Sequence, residues 1–315
     1  MSTNITKVSV IGTGVIGAGW IIRAIAHNKK VTAFDKDQKQ EKKLIKEIKR
    51  TWPFVKKLFN KKKLNLDNFK FVNSIEKALT DADFIQECAT ENYTIKTKLM
   101  STIGKYSKPN AIISSSSSGL LPTRIYSKCK NPARTMIGHP FNPVYMCPGV
   151  EIVPGKKTKK KFLNRANKFY KSISMNPIMV KKELPGYLAD RLQEALWREA
   201  LHIVNEGYAS TKDLDRAIED GPGLRWSLMG VFLTFHLAGG KTGMKHVLEQ
   251  FGPALKLPWT KLKAPKLSRK LSSRVIAGTK QQAKGKSVAM ISNIRDEYLV
   301  NLQKLRKKYE NKIRK

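Results

Sequence analysis

The segment Lys7-Val8-Ser9-Val10-Ile11-Gly12-Thr13-Gly14-Val15-Ile16-Gly17 passes from a β-branched run straight into three spaced glycines, and a helical pattern begins at Val15. Such a string predicts a buried strand, a tight turn and a helix in immediate succession. Gly12 permits the sharp turn, Gly14 lets the backbone approach a pyrophosphate, and Gly17 lets the helix pack close to the strand. The free N–H groups of the first helical turn, around Val15, Ile16 and Gly17, then face the anion. A second strand over 31–34 ends at Asp35, where a carboxylate accepts from a ribose 2′-hydroxyl and repels a 2′-phosphate. The expected cofactor is NAD in preference to NADP, with Lys36 beside the acid softening that preference.

Outward from this turn, strand-like runs recur over 84–86, 111–113, 135–137, 151–153 and 178–180, and helical patterns cover 15–27, 38–49 and 93–106. Strand–helix alternation predicts an α/β fold, a Rossmann-type doubly wound sheet. The two runs nearest His139 are separated by loop alone, which predicts that they pair as neighbours without a crossover helix. After residue 180 the strand signals stop. Glu183-Leu184-Pro185-Gly186 reads as a boundary, and Leu188, Leu192, Leu196 and Ile203 follow at helical spacing. Further helices are predicted over 212–219, 226–237, 243–251 and 291–314, and the stretch 256–270 around Pro258 and Pro265 reads as loop. The expected organisation is an NAD-binding domain over 1–184 and an all-helical substrate and dimerisation domain over 185–315.

The chain has 315 residues, 41% of them apolar, enough for two domains with a sizeable core. Lys and Arg number 61 against 24 acids, a formal net charge of +37. The apolar content argues against a disordered polycation. The charge still raises nucleic acid, an anionic membrane or an acidic substrate as partners. A basic nucleic-acid-binding protein is therefore the rival class, but no helix-turn-helix, zinc-finger or RNP-like pattern accompanies the charge. With 47 lysines to 14 arginines the excess reads as a surface bias, and Lys156-Lys157-Thr158-Lys159-Lys160-Lys161 as the start of a surface helix. No run approaches the roughly 20 apolar residues of a membrane span, and the N-terminus lacks a leader pattern. Cys88, Cys129 and Cys147 suggest neither a disulfide framework nor a metal site, and His27, His202, His236 and His246 show no ligand spacing. A cytoplasmic protein without metal, membrane or specific nucleic-acid partner is expected.

Chemistry concentrates in three strings: Ser114-Ser115-Ser116-Ser117-Ser118-Gly119, Gly138-His139-Pro140-Phe141-Asn142-Pro143 and Val150-Glu151-Ile152-Val153. Oxidising a secondary alcohol requires a base for the hydroxyl proton, a role suited to histidine. Glu151 is the one acid between Asn92 and Lys182, and bonded to His139 it would fix the imidazole tautomer. Ser118 and Asn142 would donate to the reacting oxygen. Taken singly, a His between Gly and Pro is as readily a turn residue, and a serine run a linker. Their order downstream of a dinucleotide turn gives them joint meaning.

The segments 8–17, 91–96, 138–143, 150–153 and 186–192 resemble those of the 3-hydroxyacyl-CoA dehydrogenase family in the same order, and the similarity runs up to about Phe251. The resemblance implies His139 as base, Glu151 as its partner, Ser118 as the catalytic serine, Asn142 as the motif asparagine, and Glu91 and Lys96 as NAD contacts. It also implies a homodimer formed through the helical domain. Asp190 departs from the family's asparagine; a carboxylate there suits a cationic substrate better than an anionic thioester. Within the family, Gly221-Pro222-Gly223-Leu224-Arg225-Trp226, Leu233-Thr234-Phe235-His236-Leu237-Ala238-Gly239-Gly240 and Glu249-Gln250-Phe251-Gly252-Pro253-Ala254-Leu255 are most similar to a subgroup acting on a free 3-hydroxy acid that carries a quaternary ammonium. Arg225, expected to be buried beside Trp226, would clamp the carboxylate, and Trp226, Phe235 and Tyr145 would offer aromatic faces to the cation. Helical-domain core is the equal alternative for the aromatics. A 3-hydroxy sugar acid such as L-gulonate and an acyl-CoA thioester are the alternative substrates.

Overall fold

A computed structural model describes residues 5–61, 63–228, 230–253, 257–261, 263 and 268–313. The chain divides into two compact units, Met1–Arg191 and Leu192–Lys315. In the first, β1 (Lys7–Ile11), α1 (Val15–Ala26), β2 (Lys30–Phe34), α2 (Gln40–Phe59), β3 (Phe69–Val72), α3 (Ile75–Leu79), β4 (Phe84–Glu87), α4 (Tyr93–Tyr106), β5 (Ile112–Ser115), α5 (Pro122–Ile125), β6 (Thr135–Pro140), β7 (Gly149–Pro154), α6 (Lys160–Ser172) and β8 (Asn176–Met179) follow in order. The strands form one 8-stranded sheet, β3-β2-β1-β4-β5-β6-β7-β8. Its pairs are parallel except β6–β7, which run antiparallel as the helix-free connection predicts.

The β-branched runs are the interior of this sheet. Val10, Phe84, Ile85, Ile112, Ile113, Ile137 and Ile152 are fully enclosed, and burial of each contributes roughly 1.5–3 kcal/mol. On one face Ile85, Ile113 and Ile137 meet Met100 and Ile103 of α4 and Ile125 of α5. α1 is buried from Gly17 to Ala26, because no charged residue except Arg23 interrupts its apolar sequence. Arg23 is itself enclosed. Its guanidinium donates to the carbonyls of Val144 (2.7 Å), Cys147 (2.9 Å), Ile173 (3.1 Å) and Ser174 (2.9 Å). Burial pulls its pKa down to about 9.

Some elements depart from the sequence expectation. α2 continues through Pro53 to Phe59, because its spacing keeps Leu44, Ile48, Thr51 and Val55 on one buried face. β3 escapes notice because its alternation is short and half-buried at the sheet edge. The lysine run does lead into a helix, α6, at Lys160.

The second unit is helical: most of α7 (Ala189–Glu206), then α8 (Thr211–Glu219), α9 (Pro222–Trp226), α10 (Val231–Ala238), α11 (Met244–Phe251), α12 (Arg269–Ala283) and α13 (Val288–Ile313). A reciprocal Ser210–Asp213 capping box starts α8. The single helix expected over 226–237 is two, since α9 ends at Trp226 and Gly230, in extended backbone, opens α10. Sequence reading also passed over α12, which begins on a Ser268 side-chain cap. Pro258 lies in non-helical backbone. Ala254, Leu255, Lys256, Pro265 and Arg314 lie outside the described residues. Among the described residues no helix is long and apolar enough to cross a membrane.

Candidate active site

The glycine turn is shaped by collisions that only glycine avoids. Gly12 sits at φ +93°, and a Cβ there would stand 2.8 Å from the Cys88 carbonyl carbon. A Cβ on Gly17 would stand 1.9 Å from the Gly12 oxygen, so helix and turn meet backbone to backbone. Gly14 points into open space and caps α1 without any side chain. The first turn of α1 carries no acid to oppose an anion. Asp35 braces the turn: Oδ2 accepts from the Thr13 N–H (2.7 Å) and hydroxyl (3.1 Å), and Oδ1 from the Asp37 N–H (3.1 Å). Lys36 beside it is exposed.

A buried ion cluster lies at the end of β4. The Lys96 ammonium donates to both oxygens of Glu87 (2.9 and 3.0 Å) and to the Ala89 carbonyl (3.0 Å), and stands 3.4 Å from Glu91. Glu87 also accepts from the Ser115 hydroxyl and the Ala89 N–H. Glu91 in turn accepts from the Ser117 hydroxyl and from the N–H groups of Ser118 (3.0 Å) and Gly119 (3.4 Å). Glu91 and Lys96, read from sequence as cofactor contacts, thus hold the serine loop that follows β5. Glu87 was missed. The available signal was an acid ending an otherwise buried strand, where a charge persists only with a partner.

β6 and β7 set His139 directly opposite Glu151. The ring Nδ1 lies 2.8 Å from Glu151 Oε2. A carboxylate there is an acceptor, so Nδ1 carries the hydrogen and Nε2 is left with a lone pair. Glu151 Oε1 accepts from the N–H groups of Leu188 (2.8 Å) and Ala189 (3.2 Å), where α7 begins. Asp190 Oδ1 lies 3.8 Å from His139 Nε2. Phe141 and Tyr187 each place a ring 5.5 Å from the imidazole, which is only 4% exposed. Gly138 before the histidine is required because a Cβ would fall 1.8 Å from the Tyr170 hydroxyl.

A strand-borne imidazole with one nitrogen committed and the other open can take a proton from an alcohol. Residues 7–184 match the family model of the 3-hydroxyacyl-CoA dehydrogenase NAD binding domain, and residues 186–285 match that of the C-terminal domain. The chain belongs to the 3-hydroxyacyl-CoA dehydrogenase family. As in that family, residues 7–184 take NAD. The residues present fit that cofactor: an uncapped helix start, Gly14 facing open space, and a carboxylate ending β2.

This 3-hydroxyacyl-CoA dehydrogenase family member is 50% identical over 296 residues to L-carnitine dehydrogenase of Oceanobacillus iheyensis, a match covering 94% of this chain and 96% of that one. It is 48% identical over 298 residues to the protein of the same name from Pseudomonas putida, covering 95% and 93%. Among solved structures, the NAD-dependent 5-formyl-3-hydroxy-2-methylpyridine 4-carboxylic acid 5-dehydrogenase shares the fold, with a TM-score of 0.80 at 22% identity, over 96% of this chain and 99% of that chain. So does (S)-3-hydroxybutyryl-CoA dehydrogenase of Ralstonia eutropha, with a TM-score of 0.66 at 22% identity, over 87% and 95%.

Other residues singled out from sequence fall in varied settings. Ser118 is exposed on its loop, and Asn142 is exposed just beyond β6. Tyr145 is 5% exposed, and its hydroxyl accepts from Arg50 of α2 at 3.3 Å, which places it in the interior of the first unit. In the second unit, Arg225 lies on α9 and is exposed, contrary to the expected burial, because that short helix leaves its outer side open. Trp226 ends the same helix half-buried, and Phe235, on α10, is 49% exposed.

Proposed function

We propose that this chain oxidises the 3-hydroxyl of L-carnitine to 3-dehydrocarnitine in an NAD-dependent reaction, with His139 as general base. The observation that carries the chemistry is the His139–Glu151 pair, 2.8 Å apart on adjacent strands downstream of the dinucleotide turn. The substrate reading is supported by relatives named L-carnitine dehydrogenase that match nearly the whole chain at 43–50% identity. NAD, when bound, supplies the hydride acceptor. His139 Nε2 takes the hydroxyl proton, while Glu151 holds Nδ1–H and compensates the imidazolium that results. Glu91 and Lys96 fix the loop from which Ser118 donates to the substrate oxygen, and Asn142 is its second donor. Gly12, Gly14, Val15, Ile16 and Gly17 receive the pyrophosphate, and Asp35 the ribose. The protein acts in the cytoplasm as a homodimer; exposed Trp197 (52%), Phe232 (84%) and Tyr298 (61%) in the helical unit support a second copy as partner.

The deciding test is a substrate panel of L-carnitine, L-gulonate and 3-hydroxybutyryl-CoA with NAD and with NADP, on the parent protein and His139→Ala. NADH formation with L-carnitine is expected, with kcat falling about 10²–10⁴-fold in the variant. No turnover of L-carnitine by the parent overturns the substrate; an unimpaired His139→Ala overturns the mechanism.

A further inference from the structure

Asp190 stands 3.8 Å from the imidazole nitrogen that Glu151 leaves open. The same carboxylate that orients the ring also receives the N–H groups of Leu188 and Ala189, so the backbone carrying Asp190 is tied to the base it flanks. Whatever hydroxyl gives its proton to Nε2 therefore does so beside a second carboxylate. Its side chain is 28% exposed, enough for a ligand to reach and enough shielding for its charge to be felt.

The chemistry of the proposed substrate gives this placement a use. In a 3-hydroxy acid with an ammonium on the next carbon, the nitrogen is linked to the hydroxyl oxygen through only two carbons. Standard bond lengths keep the two atoms about 3 Å apart when gauche. A carboxylate at the proton acceptor is then necessarily near the cation. The match extends to hydrogen bonding: a quaternary ammonium has no N–H to donate, so it pairs with a carboxylate by charge alone. A neutral group in its place forgoes that charge attraction. The overall charge of +37 works against a cationic group, which makes a local anion the more necessary.

We propose that Asp190 is a specificity-determining residue, selecting substrates with a quaternary ammonium on the carbon adjacent to the one oxidised. This rests on the carnitine reading above and adds the group that enforces it. The test compares L-carnitine with its neutral carbon isostere, 3-hydroxy-5,5-dimethylhexanoate, in which a tert-butyl group replaces the trimethylammonium at nearly equal shape. In the parent, kcat/KM for the isostere should be lower by roughly tenfold or more. In Asp190→Asn the gap should close, mainly through a raised KM for carnitine with the isostere spared. Equal use of both compounds by the parent overturns the proposal, whether or not the variant folds. An equal loss of both in Asp190→Asn overturns it too. Calorimetric binding of the same pair separates this idea from the reaction itself. Carnitine that binds in preference to the isostere, but is not oxidised, would overturn the proposed activity and uphold Asp190. Carnitine that neither binds nor reacts overturns both.

Discussion

His139 has carboxylates beside both ring nitrogens, but only Glu151 is in hydrogen-bonding range, at 2.8 Å against 3.8 Å for Asp190. That asymmetry assigns the tautomer. It also gives Glu151→Gln two separable effects. The amide still offers one oxygen but no negative charge, so kcat should fall by about 10²-fold or more. The Leu188 and Ala189 N–H groups also lose a charged acceptor, at a cost of about 1–3 kcal/mol in unfolding stability. Steady-state kinetics and urea unfolding of the one variant check both; a kinetic loss at full stability would mean that Glu151 does not hold the start of α7. The pairing of His139 with Glu151 was legible in sequence because both lie on short apolar strands with no helix between them. The role of Asp35 in bracing Thr13 was not, since the motif speaks of a ligand and is silent about its own loop. Tyr145 illustrates the converse: an aromatic next to the histidine string is as often core, and here it is buried with its hydroxyl accepting from Arg50.

At the scale of elements, β4, α4 and the loop after β5 are joined by one enclosed ion cluster. Lys96 and Glu87 are 1% and 0% exposed, and the ammonium reaches a carbonyl and a second carboxylate besides. Lys96→Met should therefore strand Glu87 and destabilise the protein by about 3–5 kcal/mol, seen as a lower denaturation midpoint. Lys96→Met with Glu87→Leu should recover much of that loss, because no buried charge is left uncompensated. A double variant no more stable than the single one would refute this account. Both should retain less activity than stability, since Glu91 loses its tether while still holding Ser118. The cluster was only half visible in sequence, because Glu87 reads as a strand terminus until α4 brings Lys96 back to it. Helix limits were the least legible feature. A continuous apolar pattern over 226–237 concealed a break that backbone conformation at Gly230 imposes, and a lysine-rich approach hid α12.

For the whole molecule, the alternation of strands and helices sufficed to foresee the sheet and the switch to helices, since each depends on periodicity alone. Charge told less about the fold, because most of the described lysines are exposed. Stability carries one pH signature. His27 packs edge-on to Phe59 at 4.6 Å, donates from Nδ1 to the Arg23 carbonyl and accepts at Nε2 from the Ser174 hydroxyl. Burial lowers its pKa to about 4, well below the ordinary 6.5. The unfolded chain therefore takes up the proton first as pH falls. This stability is fully present above about pH 6.5 and is lost progressively towards pH 4, by about 1–3 kcal/mol. Unfolding midpoints at pH 7 and pH 4.5 should converge less in the parent than in His27→Gln, which removes the titration; parallel profiles would refute it. The double duty of Glu151 has a further consequence. Because one carboxylate orients the imidazole of His139 and receives the Leu188 and Ala189 N–H groups, fraying of that turn and misalignment of the ring are a single event. Hydrogen–deuterium exchange at those two amides thus reports, without any substrate, the fraction of molecules whose imidazole is held in place by Glu151.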